Sequence, residues 1–123
     1  MNEPVRALVV EDSRVLGRLI ASSLRGLGCE ITNSWRCDDA LDRLRNGDAD
    51  LAIVDIYLLD GSGIDLVKEA RKMDDSPAII VLTADARITT LQEAKDAGAD
   101  IVMTKPFRRD ELRDAVRRLT AQN

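Results

Sequence analysis

The chain has 123 residues, of which 45% are hydrophobic and 33% charged, with one Trp, one Tyr and one Phe; that length admits one core, so a single domain is expected over 1–123. A net charge of -4 lacks the basic balance of a bulk nucleic-acid binder, and no direct nucleic-acid contact is expected. Histidine is absent, which excludes His-dependent triads, most zinc chemistry and a phosphohistidine on this chain.

Short β-branched runs alternate with longer amphipathic stretches, the pattern of a parallel sheet with crossover helices. A strand is expected over 5–10. A helix follows over 13–27, with Leu16, Leu19, Ile20 and Leu24 spaced to cover one face and Gly26 and Gly28 ending it. A weak strand over 30–34 belongs at the sheet edge, before a helix over 38–46 closed by Gly47. The third strand is expected over 51–55, then a loop over 57–61 and a helix over 63–73. The fourth strand covers 78–82 and its helix 89–97, ended by Gly98. The last strand covers 101–104 and the last helix 109–121. The runs at 5–10, 51–55 and 78–82 are nearly all apolar, as strands covered on both faces are. Gly17 inside the first helix lowers helix propensity by up to ~1 kcal/mol relative to Ala, for no reason visible in the sequence.

No apolar stretch approaches a membrane span, and Met1-Asn2-Glu3-Pro4 lacks the regions of a signal peptide. A cytoplasmic protein without membrane contact is expected. Cys29 and Cys37 have no His or further Cys to complete a zinc site and read as reduced thiols.

Five polar residues stand at or just past the ends of apolar runs: Glu11, Asp12, Asp55, Thr83 and Lys105. In a parallel sheet those ends share one edge, where open α/β sheets place their ligand sites. Three carboxylates brought together repel one another, and Mg²⁺ relieves the repulsion through carboxylate, water and phosphate oxygens. Asp55 directly ends the central strand, where it can face an incoming phosphoryl group, and carboxylates do accept phosphoryl groups. A metal and Lys105 would neutralise charge on the transferring oxygens, with Thr83 donating to one of them. Pro106 holds Lys105 out of helical geometry. Arg109, Arg113 and Arg117 recur along the last helix as a charged face or a docking stripe.

The segments Val9-Val10-Glu11-Asp12-Ser13, Val54-Asp55, Asp60-Gly61-Ser62-Gly63, Leu82-Thr83-Ala84, Ala97-Gly98-Ala99-Asp100 and Lys105-Pro106-Phe107 occur in that order over essentially the whole chain. In this set the chain resembles a response-regulator receiver domain of two-component signalling. The resemblance implies a flavodoxin-like, doubly wound α/β fold: a five-stranded parallel sheet of order 2-1-3-4-5 with five helices. It implies Asp55 as phosphoacceptor, and Mg²⁺ held by Glu11, Asp12, Asp55 and the backbone carbonyl of Tyr57. Thr83 and Lys105 would contact the phosphoryl group, and Ala84 would keep space open beside it. A sensor histidine kinase or histidine phosphotransfer protein would be the donor, docking over the first helix beside Val15. Output would run through protein–protein contact with a partner the sequence does not name.

Some positions depart from the family pattern. Leu59 replaces a frequent Pro after the phosphoacceptor. Val102 replaces an aromatic switch residue, Arg108 a helix-capping Ser or Thr, and Cys37 a common Gly. Trp35, at the end of the edge strand, is expected to pack rather than stand exposed. Tyr57 and Asp85 occupy the positions that, in this family, flank the water that hydrolyses the aspartyl phosphate.

Other readings of the fold fit less well. A Mg²⁺-dependent phosphatase with an Asp nucleophile needs a second Asp two residues on, where this chain has Tyr57. A flavin or nucleotide site wants a Gly- or Ser/Thr-rich loop after the first strand, where Glu11-Asp12 would repel phosphate. A receiver that works without phosphorylation would not need all five site residues.

Overall fold

The computed structural model describes residues 3–120. In chain order they form β1 (Arg6–Val10), α1 (Arg14–Arg25), β2 (Glu30–Ser34), α2 (Cys37–Arg45), β3 (Leu51–Asp55), α3 (Gly63–Arg71), β4 (Ala78–Thr83), α4 (Ile88–Ala97), β5 (Ile101–Thr104) and α5 (Arg109–Thr120). The five strands make one parallel sheet, β2-β1-β3-β4-β5, with β2 at an edge. The predicted order and helix number hold, and boundaries differ by a residue or two. Residue 121, the predicted end of the last helix, lies outside the described residues.

Alternation along the strands divides the interior into two layers. Val9, Ile53, Ile80 and Leu82 face α1 and α5, where Ile20, Leu24, Leu112 and Val116 are buried. Leu8, Val10, Val54 and Val81 face α2, α3 and α4, meeting Leu44, Val67, Ala70 and Ala94. The three inner strands are thus covered on both faces, as their apolar composition predicts.

The expected α1 stripe needs one correction. Ile20 and Leu24 are buried, but Leu19 is 47% exposed, because the inward arc is completed by Gly17 and Ala21. Gly17 also acquires a reason. A Cβ there would stand 2.7 Å from Cζ3 of Trp35, and the Asn33 side-chain amide donates to the Gly17 carbonyl at 3.3 Å. Trp35 therefore packs on the helix backbone, with the Arg14 guanidinium 4.7 Å from its ring centroid.

Two helix starts are capped from unexpected places. α2 begins after Arg36, which supplies no side-chain cap. Instead Asp60 accepts hydrogen bonds from the Cys37 and Asp38 amides at 2.8 and 3.4 Å. At α5 the Arg108 amide donates to Glu111 at 3.0 Å, the return half of a capping box. The arginine stripe on α5 is broken, since Arg113 turns inward to donate to the Ser23 carbonyl at 3.1 Å and ties α5 to α1.

Candidate functional site

The carboxyl ends of β1, β3, β4 and β5 bring the predicted residues to one edge. Glu11 follows β1, and its amide donates to the Ser34 carbonyl at 3.1 Å, which extends the β1–β2 ladder by one residue. Asp55 ends β3 in register with Leu82. Beyond it, the Ile56 amide donates to the Leu82 carbonyl at 3.0 Å, and the Gly63 amide to the Ile56 carbonyl at 2.7 Å. A Cβ on Gly63 would overlap the Asp55 carbonyl oxygen, so only glycine lets α3 start this close to the acid. Thr83 ends β4, fully buried. The Lys105 amide donates to the Thr83 carbonyl at 2.7 Å, which aims the lysine at the same edge.

There Lys105 Nζ lies 2.8 Å from Glu11 Oε1 and 3.0 Å from Asp55 Oδ2. Glu11 and Asp55 are both buried, at 2% and 6% exposure, so the lysine compensates charges that would otherwise be costly to hold there. Burial pulls the lysine pKa down, but the hydrogen bonds and charges of Glu11 and Asp55 outweigh it and leave it above the ordinary lysine range. The other Glu11 oxygen accepts from the Ser13 amide at 3.1 Å. Asp55 Oδ1 has only a long contact, 3.4 Å, from the Tyr57 amide.

One oxygen each from Glu11, Asp12 and Asp55 lies within 4.8 Å of the others. That set suits a hard divalent cation with oxygen ligands. Tyr57 stands beside it in a short antiparallel ladder, Tyr57 opposite Ser62 and Leu58 opposite Gly61. The segment expected as a plain loop is therefore partly paired. Leu59 at its tip is 92% exposed.

Thr83 Oγ1 accepts from the Asp85 amide at 2.9 Å. Asp85 carries more than sequence reading assigned to it: its carboxylate accepts from the Tyr57 hydroxyl at 3.1 Å, the Thr90 hydroxyl at 2.8 Å and Arg87 Nη2 at 2.6 Å. Arg87 first, then its amide and the Thr90 hydroxyl, hold the Asp85 carboxyl well below its ordinary range. Sequence reading also missed Asp60. The Asp60-Gly61 pair signals a turn, but not which helix the acid caps.

The response regulator receiver domain model matches residues 7–117. The chain belongs to that family. Receiver domains are signalling domains controlled by phosphorylation rather than enzymes in the usual sense. Among curated relatives, the transcriptional regulatory protein DltR of Streptococcus agalactiae is 34% identical over 119 residues, spanning 97% of this chain and 53% of DltR. The response regulator MprA of Mycobacterium sp. strain KMS is 32% identical over 116 residues, 94% of this chain and 50% of MprA. The chain thus spans about half the length of these relatives. Among solved structures, a CheY-like receiver domain protein from Methanospirillum hungatei superposes with a TM-score of 0.88 at 25% identity, over 94% of this chain and 93% of its own. The Francisella response regulator 1452 receiver domain superposes at 0.87 and 27% identity, over 94% and 95%. These likenesses bear out the flavodoxin-like fold. In the described residues, no helix is long and apolar enough to cross a membrane.

Proposed function

We propose that this receiver accepts a phosphoryl group on Asp55 and signals through protein contact. The observation that carries the reading is the placement of Asp55: buried at the end of the central strand, one oxygen held by Lys105, the other nearly free, with two further acids beside it. An Asp55 oxygen attacks phosphorus and forms the new O–P bond as the donor's bond to phosphorus breaks. Lys105 balances charge on the phosphoryl oxygens, and the Thr83 hydroxyl donates to one of them. Glu11, Asp12, Asp55 and the Tyr57 carbonyl would hold Mg²⁺, which supplies charge neutralisation and orientation of the phosphoryl group. Any catalysis is confined to the domain's own phosphorylation and dephosphorylation.

The donor is a sensor histidine kinase or a histidine phosphotransfer protein, since this chain carries no histidine. Val15, 81% exposed on α1 two residues past Ser13, suits contact with that donor. We read residues 1–123 as one domain acting in the cytoplasm. The phosphatase reading stays disfavoured, because Tyr57 stands where a second Asp would be required. The test is incubation with Mg²⁺ and a small acyl phosphate. An acid-stable, hydroxylamine-labile phosphoryl adduct supports the reading, and its absence overturns it.

A further inference from the structure

Helices α2 and α3 leave a groove between them, on the face of the sheet opposite α1 and α5. Its volume is about 430 Å³, enough for a few side chains. Leu66 of α3, buried, forms the floor with Leu41 and Cys37 of α2, which pack partly buried against the same core layer. The Cys37 sulfur closes one end against the short ladder of Leu58 and Gly61, since a Cβ on Gly61 would stand 3.1 Å from Sγ.

The rim is acidic. Asp38, Asp60, Asp65 and Glu69 line the groove, with Arg36 as the one cation among its lining residues. Three of these acids are engaged within the chain. Asp38 lies 3.1 Å from Arg36, Glu69 lies 2.7 Å from Lys72, and Asp60 accepts from the Cys37 and Asp38 amides. The Asp65 carboxylate, exposed in the first turn of α3, has no hydrogen bond or ion pair among the described residues. An apolar floor under unbalanced negative charge matches a guest that carries an aliphatic side chain beside a cation. An acidic guest would be repelled, and an uncharged one would leave Asp65 unanswered.

We propose that the α2–α3 groove is a docking site for a basic segment of a partner protein. A leucine-like side chain of that segment rests on Leu41 and Leu66, and a lysine or arginine pairs with Asp65. The proposal does not depend on the reading of Asp55 as phosphoacceptor. Helix α1, which carries Val15, packs on the opposite face of the sheet, so a guest in the groove leaves the phosphodonor's approach over α1 open.

The test uses a blocked hexapeptide alternating leucine and lysine, titrated into the full chain at low salt and followed by backbone amide NMR. Amides at 37–41 and 61–69 should move, and added salt should weaken the binding. The same peptide with glutamate in place of lysine should leave them unmoved. Asp65→Asn should weaken binding about threefold, the scale of one exposed charge pair, and Asp65→Glu should preserve it. A check that needs no variant is the Cys37 thiol, whose alkylation should slow severalfold under saturating peptide. Shifts confined to 11–12 and 55–57 would show only attraction to the other acidic edge and would overturn the proposal. Equal binding of the two peptides, unchanged affinity in Asp65→Asn or unslowed alkylation of Cys37 would overturn it too. Shifts at 37–41 and 61–69 that grow with protein concentration alone would assign the groove to a second copy of this chain, against the proposal.

Discussion

Lys105 Nζ stands 3.0 Å from Asp55 Oδ2, across 50 residues of sequence. The lysine occupies the charge-compensating role that a divalent cation would otherwise fill alone. Lys105→Met should therefore strengthen Mg²⁺ binding in the absence of phosphate, by on the order of 1 kcal/mol or about fivefold after solvent screening. Asp12→Ala should weaken it, because that acid is one of three offering oxygens to the ion. Titration followed by NMR or fluorescence decides. Equal affinity in all three proteins would contradict this ligand set.

Gly63 touches the Asp55 backbone too closely for a side chain. The obstructing atom belongs to the central strand and cannot swing away. Gly63→Ala should destabilise the fold by roughly 1–3 kcal/mol, the usual cost of forcing a methyl into a packed place, and disturb the Asp55 amide. A denaturant midpoint equal to that of the wild type would show that α3 shifts freely.

The arrangement of the sheet was legible because four apolar runs end in polar residues and turn signals separate them. The same rule placed Glu11, Asp12, Asp55, Thr83 and Lys105. Contacts between distant segments were not legible. Asp60 caps a helix that starts 23 residues earlier, and Gly17 is small because Trp35 lies over it. Leu19 fits the spacing of an inward stripe, yet it lies about 100° round the helix from Ile20 and faces partly outward. Arg113 reads as one of three charges, and only the approach of α5 to α1 shows it bound to a carbonyl.

Cys37 should be a slow thiol. Burial first, then the charge of Asp60 and its hydrogen bond, push its pKa from the ordinary 9.0 up to about 11. Its alkylation rate should keep climbing beyond pH 9 towards about 11. The folded state holds this proton more tightly than the unfolded chain, so the associated stability is full below 9.0 and is lost as pH rises towards about 11. Peptide-resolved alkylation checks it, and a rate already flat at pH 9 would contradict it.

Tyr57 reaches from the loop after β3 to Asp85 in the loop after β4, 3.1 Å at the hydroxyl. With Arg87 and Thr90 on the same carboxylate, Asp85 is engaged rather than free to orient a water. The steric shield should dominate, making the phosphorylated form comparatively long-lived. Tyr57→Ala should shorten its lifetime in Mg²⁺ after donor removal. An adduct decaying no faster than in the wild type would show that the ring is not the shield.

The central claim is that Asp55 carries the phosphoryl group. Intact-mass spectra of wild type and Asp55→Asn, each incubated with Mg²⁺ and a small acyl phosphate, test it most directly. The wild type should gain the mass of one phosphoryl group in a Mg²⁺-dependent manner and Asp55→Asn should gain none. Equal uptake by both proteins would contradict the account.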